Sequence, residues 1–521
     1  MSLTNNGGAT ITFNGNLALT TGTNAAFTAT GGGTVTVTGA NNTLATTTGT
    51  ALLVANTTIG ATGLKFTSIS AGTGSGSAGD GIVLNNTGST GGLTVTGNGT
   101  TASSGGTIQH KTGTDGDTAN GIGIYLNSTA SVSLNWMQLN DFDNFALFGS
   151  SVSGFALNNS VVNGTNGTNG AMPYDEASVW FSQLAGAATL TGDTISGGRQ
   201  DNVHVQNSSG TLSNLTIADP NCAIQNNSTS TDGNAGITIL ASLTANVTTT
   251  ISNCQFQGNR SDTIHTDAAD TSTLNVTISG NTIVAGTGVN NQGNLGMEVT
   301  ASQSAQVTFA VTNNKVGTPD GTTQQPLMNT GINVFGSATS RLSGTVTNNT
   351  VINGGNTCPN STPPPTTIGC SGTGIRIYNS ESSILNAKVD SNNVSNVALD
   401  YGIDVTNNGS GTASSTGNIQ VAVTNNTVSV LSTAIDDIHI RGRRDTTSCT
   451  RISGNTTTII GGTGPFGLDV SQAQTAIFKL EGDTGQTATA NLAANNPGAT
   501  PQTTSGTITV VPSGTCTGIP A

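Results

Sequence analysis

A chain of 521 residues with 33% hydrophobic side chains and 71 glycines holds enough apolar matter for a folded core, yet only 7% of it is charged, against about 25% in ordinary domains. The net charge of -13 and the lack of any long apolar run exclude a basic nucleic-acid face and a membrane-spanning helix. Low charge with ordinary hydrophobicity also excludes a disordered chain or a coiled coil; Thr, Asn, Ser, Gly and Val fill the difference, which is the composition of strands and turns.

The start, Met1 to Asn6, has neither the basic opening nor the apolar core of a signal peptide and runs straight into repeat-like sequence, so the chain reads as a piece of a longer secreted precursor. Over residues 1–120, Ala9–Phe13, Thr34–Thr38, Ala51–Val54, Gly81–Leu84 and Leu93–Thr96 alternate apolar and polar residues. They predict short strands, arranged as less regular coils.

From residue 121 to 470 two motifs alternate. One is strand, Asn turn, strand: Ile278–Ile283, Val311–Val316, Val346–Val351, Val389–Val394, Val423–Val428 and Ile452–Thr457. The other is a Gly lead followed by apolar, polar, apolar: Gly236–Ile239, Gly296–Val299, Gly331–Val334, Gly374–Ile377 and Gly402–Val405. From the first apolar residue of the second motif to the turn Asn (Cys254 in the first coil) is 17 residues in six coils, and 23 from Ile403 to Asn426. The return to the next strand varies from 10 to 26 residues. A constant arc with a variable return is what a solenoid requires, since each coil must stack on the last at about 4.8 Å.

The predicted fold is therefore all-β: a single right-handed parallel β-helix of roughly fifteen or more coils, about 70 to 80 Å long at the strand spacing. Asn suits its turn because it tolerates the left-handed conformation and its amide reaches the Asn one coil away, forming a buried ladder. Residues 471–521, where the period decays, predict a C-terminal coil or cap. Cys222, Cys254, Cys358, Cys370, Cys449 and Cys516 are an even set without zinc-site spacing. They predict three disulfides and an oxidising, extracytoplasmic home. Cys222 with Cys254, and Cys449 with Cys516, are the pairings the coil positions suggest.

These strands and turns, from about Gly121 to Val470, resemble the pectate-lyase-like right-handed parallel β-helix. Residues 31–140, including Gly92–Gly97, Gly106–Gln109 and Leu126–Trp136, are similar to segments of large bacterial secreted adhesin-type repeat proteins. The first resemblance implies a fold that hosts lyases, hydrolases, tail spikes and passive adhesins alike. The second carries no catalytic motif that transfers.

If the apolar residues of the Gly-led motif point inward, the residue between them points out, and the coils write a column: Tyr125, Ala146, Trp180, His204, Thr238, His265, Glu298, Asn333, Arg376, Asp404, His439 and Asp469. Three of the chain's four histidines and one of its two tryptophans fall on it. The expected function is an extracellular or cell-surface structural and adhesive β-helix of bacterial type, binding polysaccharide along this face by stacking and convergent hydrogen bonds. Its partner would be polysaccharide, a host or neighbouring cell surface, or the chain itself.

The competing readings are a plain polar surface, a filament or scaffold subunit, and an enzyme cutting acidic polysaccharide. For the last, the best constellation is Asp404, Asp437, His439, Arg441 and Asp469 on three successive coils. It resembles the acids, His and basic residue of polygalacturonases, matching only at Asp436 and Asp437. Asp404 and Asp469, two coils apart, would stand about 10 Å from each other, at the edge of the inverting-glycosidase range. No cofactor is indicated; calcium has no specific motif, since neither Asp262, His265, Asp267 and Asp270, nor Asp141 with Asp143, nor Asp115 with Asp117, has EF-hand spacing.

Overall fold

The computed structural model describes residues 1–168, 176–227, 233–284, 295–317, 330–352, 372–397, 399–409, 416–431, 434–460, 466–500 and 502–521. It is an all-β parallel β-solenoid with one helix, Ala488–Asn495, among the described residues. Each regular coil has three strands. In one, Leu295–Ala301, Gln306–Thr312 and Lys315–Val316 pair in parallel with Thr330–Gly336, Arg341–Thr347 and Thr350–Ile352 of the next. The chain falls into two compact units, Met1–Leu240 with Asn246–Thr250, and Ala241–Ala245 with Ile251–Ala521.

In the second unit the register is the one the 17-residue arc predicts. Met297 pairs with Ile332, Ile332 with Ile375, Ile375 with Ile403, Ile403 with Ile438 and Ile438 with Leu468, all fully buried. Each such side chain contributes about 1.5–3 kcal/mol by leaving water, so the stack is the main source of stability. The leading Gly sits where the return bends into the first strand: a Cβ on Gly331 would lie 2.5 Å from Val351 Cγ1. Most of each variable return (285–294, 318–329, 353–371), and the insertion 410–415 that lengthens the arc to 23, lie outside the described residues.

The Asn turn divides two roles that sequence reasoning gave to one residue. The residue before the ladder Asn takes the left-handed conformation, as at Asn313, Asn348, Ser391 and Asn425, with φ of 56 to 58°. The next residue turns inward and forms the ladder. Asn314 Nδ2 donates to Asn349 Oδ1 (3.0 Å) and to the carbonyl of Ile278 (2.9 Å), and the Asn314 backbone N–H donates to the same Oδ1 (3.0 Å). The pattern repeats through Asn281, Asn349, Asn392, Asn426, Asn455 and Asn496. A buried amide costs several kcal/mol if unpaired, so stacking converts a liability into register specificity.

The coil pattern extends past residue 470, where periodicity in the sequence fades. Leu468 pairs with Gln502 and Phe478 with Ile508, and the helix enters the chain just before Asn496, leaving the ladder intact. Cys449 and Cys516 form the expected disulfide, 2.06 Å between sulfurs. Cys222 and Cys254 are also disulfide-bonded; Cys358 and Cys370 lie outside the described residues. No helix among the described residues is long and apolar enough to cross a membrane.

The first unit has the same coils with less regular turns. Phe27 pairs with Leu52 and Leu52 with Ile82, and the long strands Ile124–Asn135 and Leu147–Asn158 stay in register from Ile124–Leu147 to Asn135–Asn158.

Candidate functional site

In both units the column forms at strand spacing, because pairing in parallel places each residue beside its counterpart. In the first unit the register runs Tyr125, Phe148, Trp180, His204. Phe148 therefore holds the place expected for Ala146, because the turn before this strand is two residues longer than assumed. These rings do not stand open. Trp180 and His204 are each 2% exposed, and Phe148 and Trp180 pack in one buried cluster with Ile122, Phe145 and Ala177. Tyr125 stacks on Phe148 at 5.9 Å, Phe148 on Trp180 at 4.7 Å and Trp180 on His204 at 5.9 Å, all within 16° of parallel. His204 Nδ1 also meets buried Asp201 at 2.7 Å. The expectation that Trp180 and His204 offer a ligand a surface is thus corrected: residues that lead into these strands are apolar and fold over the column, making it a second, outer core.

The second unit keeps most of its column at the surface, with His265, Glu298, Asn333, Arg376 and Asp469 partly exposed and Asp404 and His439 buried. It runs His265, Glu298, Asn333, Arg376, Asp404, His439, Asp469, and neighbours bond along it. His265 Nδ1 lies 2.8 Å from Glu298 and 3.2 Å from Asp262, and Asn333 Nδ2 donates to Glu298 at 2.8 Å. Burial pushes the His265 imidazole down, but the hydrogen bonds and charges of Asp262 and Glu298 outweigh it and raise it to about 10. It is a cation clamped between two carboxylates. Arg376 Nε stands 3.7 Å from Asp404.

Farther on, His439 Nδ1 meets Asp404 at 3.0 Å, and its Nε2 faces Asp469 at 3.7 Å. Tyr401 stacks on the imidazole at 4.5 Å and 13°. Burial, then the charges of Asp404, Asp436 and Asp400, raise the Tyr401 phenol to about 12, so it stays neutral. Burial also raises Asp469, opposed by His439 and Arg441. Imidazole occupies the space between Asp404 and Asp469, where a hydrolase would need sugar and water.

Asp437 does not belong to this face. It is fully buried, and burial raises it to about 8, against the pull of a backbone hydrogen bond from Val430 and with the charge of Asp436 adding to the rise. The reason is positional: it precedes Ile438 in the corner slot that Gly331, Gly374 and Gly402 fill in other coils. Arg441 lies on the outer face two residues beyond His439, beside Thr406 and Ser471.

A parallel row two residues along each strand was not singled out from the sequence. It includes Phe335, Tyr378 and Thr406. Phe335 and Tyr378 are half-buried rings 5.6 Å apart, and the Arg376 guanidinium lies 4.6 Å over Tyr378. The available signal was the next alternate residue of the same strands, Asn-Val-Phe and Arg-Ile-Tyr. Neither a scan against protein-family models nor searches of curated proteins and of solved structures return a match to this chain.

Proposed function

We propose that the chain is a structural and adhesive β-solenoid of the cell exterior, and that its second unit holds an elongated polysaccharide along the face that carries Asn333, Phe335, Arg376 and Tyr378. The observation that carries the reading is the juxtaposition of half-buried Phe335 and Tyr378 with Asn333 and Arg376 on adjacent coils. Sugar rings stack on aromatic faces while amide and guanidinium groups take their hydroxyls or carboxylates. A coil step of about 4.8 Å is close to the length of one pyranose, so successive coils can address successive sugars. The disulfides fit an oxidising compartment.

Binding is favoured over cleavage because the His439 ring fills the space between the two carboxylates, where a hydrolase would need sugar and water. The test is retention on immobilised acidic and neutral polysaccharides, with reducing ends and unsaturated products assayed in the same samples. Wild type is expected to be retained without releasing products, and the triple variant Asn333→Ala, Arg376→Ala, Tyr378→Ala to elute at least tenfold more weakly. Equal retention of both proteins overturns the glycan face; product release overturns the adhesive reading in favour of an enzyme.

A further inference from the structure

The second unit carries two clusters of imidazole and carboxylates on the same column, and their geometries differ. In the first, His265 turns one nitrogen, Nδ1, to both Asp262 and Glu298 at hydrogen-bonding distance. One proton already fills that space. In the second, ligand atoms of Asp436, His439 and Asp469 lie within 4.8 Å of one another, but the ring is held from behind. Asp404 takes the Nδ1 proton at 3.0 Å and is itself held by Thr406 Oγ1 at 2.9 Å and by Arg376.

A carboxylate accepts only, so Nδ1 donates to Asp404, and Nε2 is the nitrogen that remains to face a ligand on the other side. Nε2 points at Asp469 across 3.7 Å, too far for a hydrogen bond. His439 is 7% exposed, so bulk water has little access to that nitrogen, and Tyr401 stacks on the ring. A buried imidazole that faces one carboxylate across a gap while its other nitrogen is bound to a second carboxylate is how metal-binding histidines are held.

We propose that Asp436, His439 and Asp469 form a binding site for a first-row divalent transition ion of the zinc type, with Asp404 as the residue that orients His439. The dimensions agree for the His439 and Asp469 pair, while the three donor atoms as a set lie within 4.8 Å of one another and must draw in around the ion. Zinc bonds to imidazole nitrogen at about 2.0–2.1 Å and to carboxylate oxygen at about 2.0–2.2 Å, which sets tetrahedral donors about 3.4 Å apart; the 3.7 Å from Nε2 to Asp469 needs an adjustment of a few tenths of an ångström. Imidazole with carboxylates suits zinc and its neighbours better than calcium, which takes six or more oxygens. Three protein donors leave a position for water or an oxygen of a bound ligand. The proposal stands apart from the glycan reading, since it concerns the metal alone.

The experiment titrates the full chain, stripped with chelator, with zinc chloride by calorimetry and with cobalt chloride by visible absorption. Wild type is expected to take up one equivalent and to develop the visible bands of four-coordinate cobalt. His439→Gln and Asp469→Asn should abolish both signals. Asp404→Asn should weaken zinc binding 10- to 100-fold, while His265→Gln, which removes the other cluster, should leave it unchanged. Circular dichroism checks each fold; if His439→Gln does not fold, Asp469→Asn carries the test, because that side chain is at the rim, 17% exposed. Absence of saturable uptake by wild type, uptake that survives Asp469→Asn, loss on His265→Gln, or displacement of zinc by equimolar calcium each overturns the assignment.

Discussion

The two units place the same column of residues at the same strand position and use it in opposite ways. In the first unit the column is aromatic and covered, Phe148 and Trp180 lying under Phe145 and Ile122. In the second it is polar and reaches solvent, with Asn333, Arg376 and Asp469 all partly exposed. The turn slot shows a matching contrast. The second unit fills it with Asn from Asn281 to Asn496, whereas the first has Asn42 near its start and, farther on, Ser160 and then Asp193. Parallel stacking therefore dictates only that like positions align. Whether an aligned column becomes core or binding surface depends on what the preceding segment lays over it.

The largest expected effect breaks the covered column. Trp180→Ala removes a ring stacked on both sides, leaving a cavity where Phe148 and His204 cannot close together, and should cost about 3–5 kcal/mol. Urea denaturation followed by far-UV circular dichroism measures it. Arg376→Ala in the open column should cost under about 1 kcal/mol by the same method, since an ion pair at 3.7 Å with a half-exposed guanidinium is weak. Equal losses in the two variants would erase the distinction between covered and open columns.

Next in size is the ladder. Asn349→Ala strips Asn314 Nδ2 and the Asn314 backbone N–H of their acceptor, and the Val311 carbonyl and Asn392 Oδ1 of a donor. With several buried groups orphaned together, about 3 kcal/mol should be lost. Asn349→Asp keeps the acceptor but loses the donor, and should be no more stable than the Ala variant at neutral pH. A loss below about 1 kcal/mol for both variants would show that the ladder aligns coils without holding them.

The solenoid, its register and the ladder were legible because each rests on local repetition: Ile332 and Asn349 recur at the same spacing as Ile375 and Asn392. The cover over Trp180 was not, because Ile122, Phe145 and Ala177 sit in irregular segments whose path no period predicts. Asp437 was misplaced for a related reason. Alternation put it on the outer face with His439, but the chain bends at that corner and turns its carboxylate inward. Phe335 and Tyr378 follow from alternation alone, since they hold the second outward position of their strands, two residues beyond Asn333 and Arg376.

The smallest effect has the opposite sign and tests whether the first unit tolerates its irregular turn slot at a cost. Asp193 Oδ1 accepts the Ser160 backbone N–H at 2.8 Å, as a ladder Asn would, but Oδ2 is buried without a well-formed hydrogen bond among the described residues. Burial raises this carboxyl well above the usual range, against the pull of the Ser160 and Thr191 backbone N–H groups. The folded state then holds a proton that the unfolded chain has already released. Its contribution to stability is fully present below the ordinary carboxylate pKa and is lost as pH rises toward the raised folded value. Asp193→Asn supplies the missing donor without a charge. It should stabilise the protein by about 1–2 kcal/mol at pH 7 and have little effect near pH 3, measured as urea midpoints across that range. A variant that is less stable than wild type at pH 7, or whose gain does not grow with pH, would mean that the buried carboxyl is satisfied as it stands and that the two kinds of turn slot are equivalent.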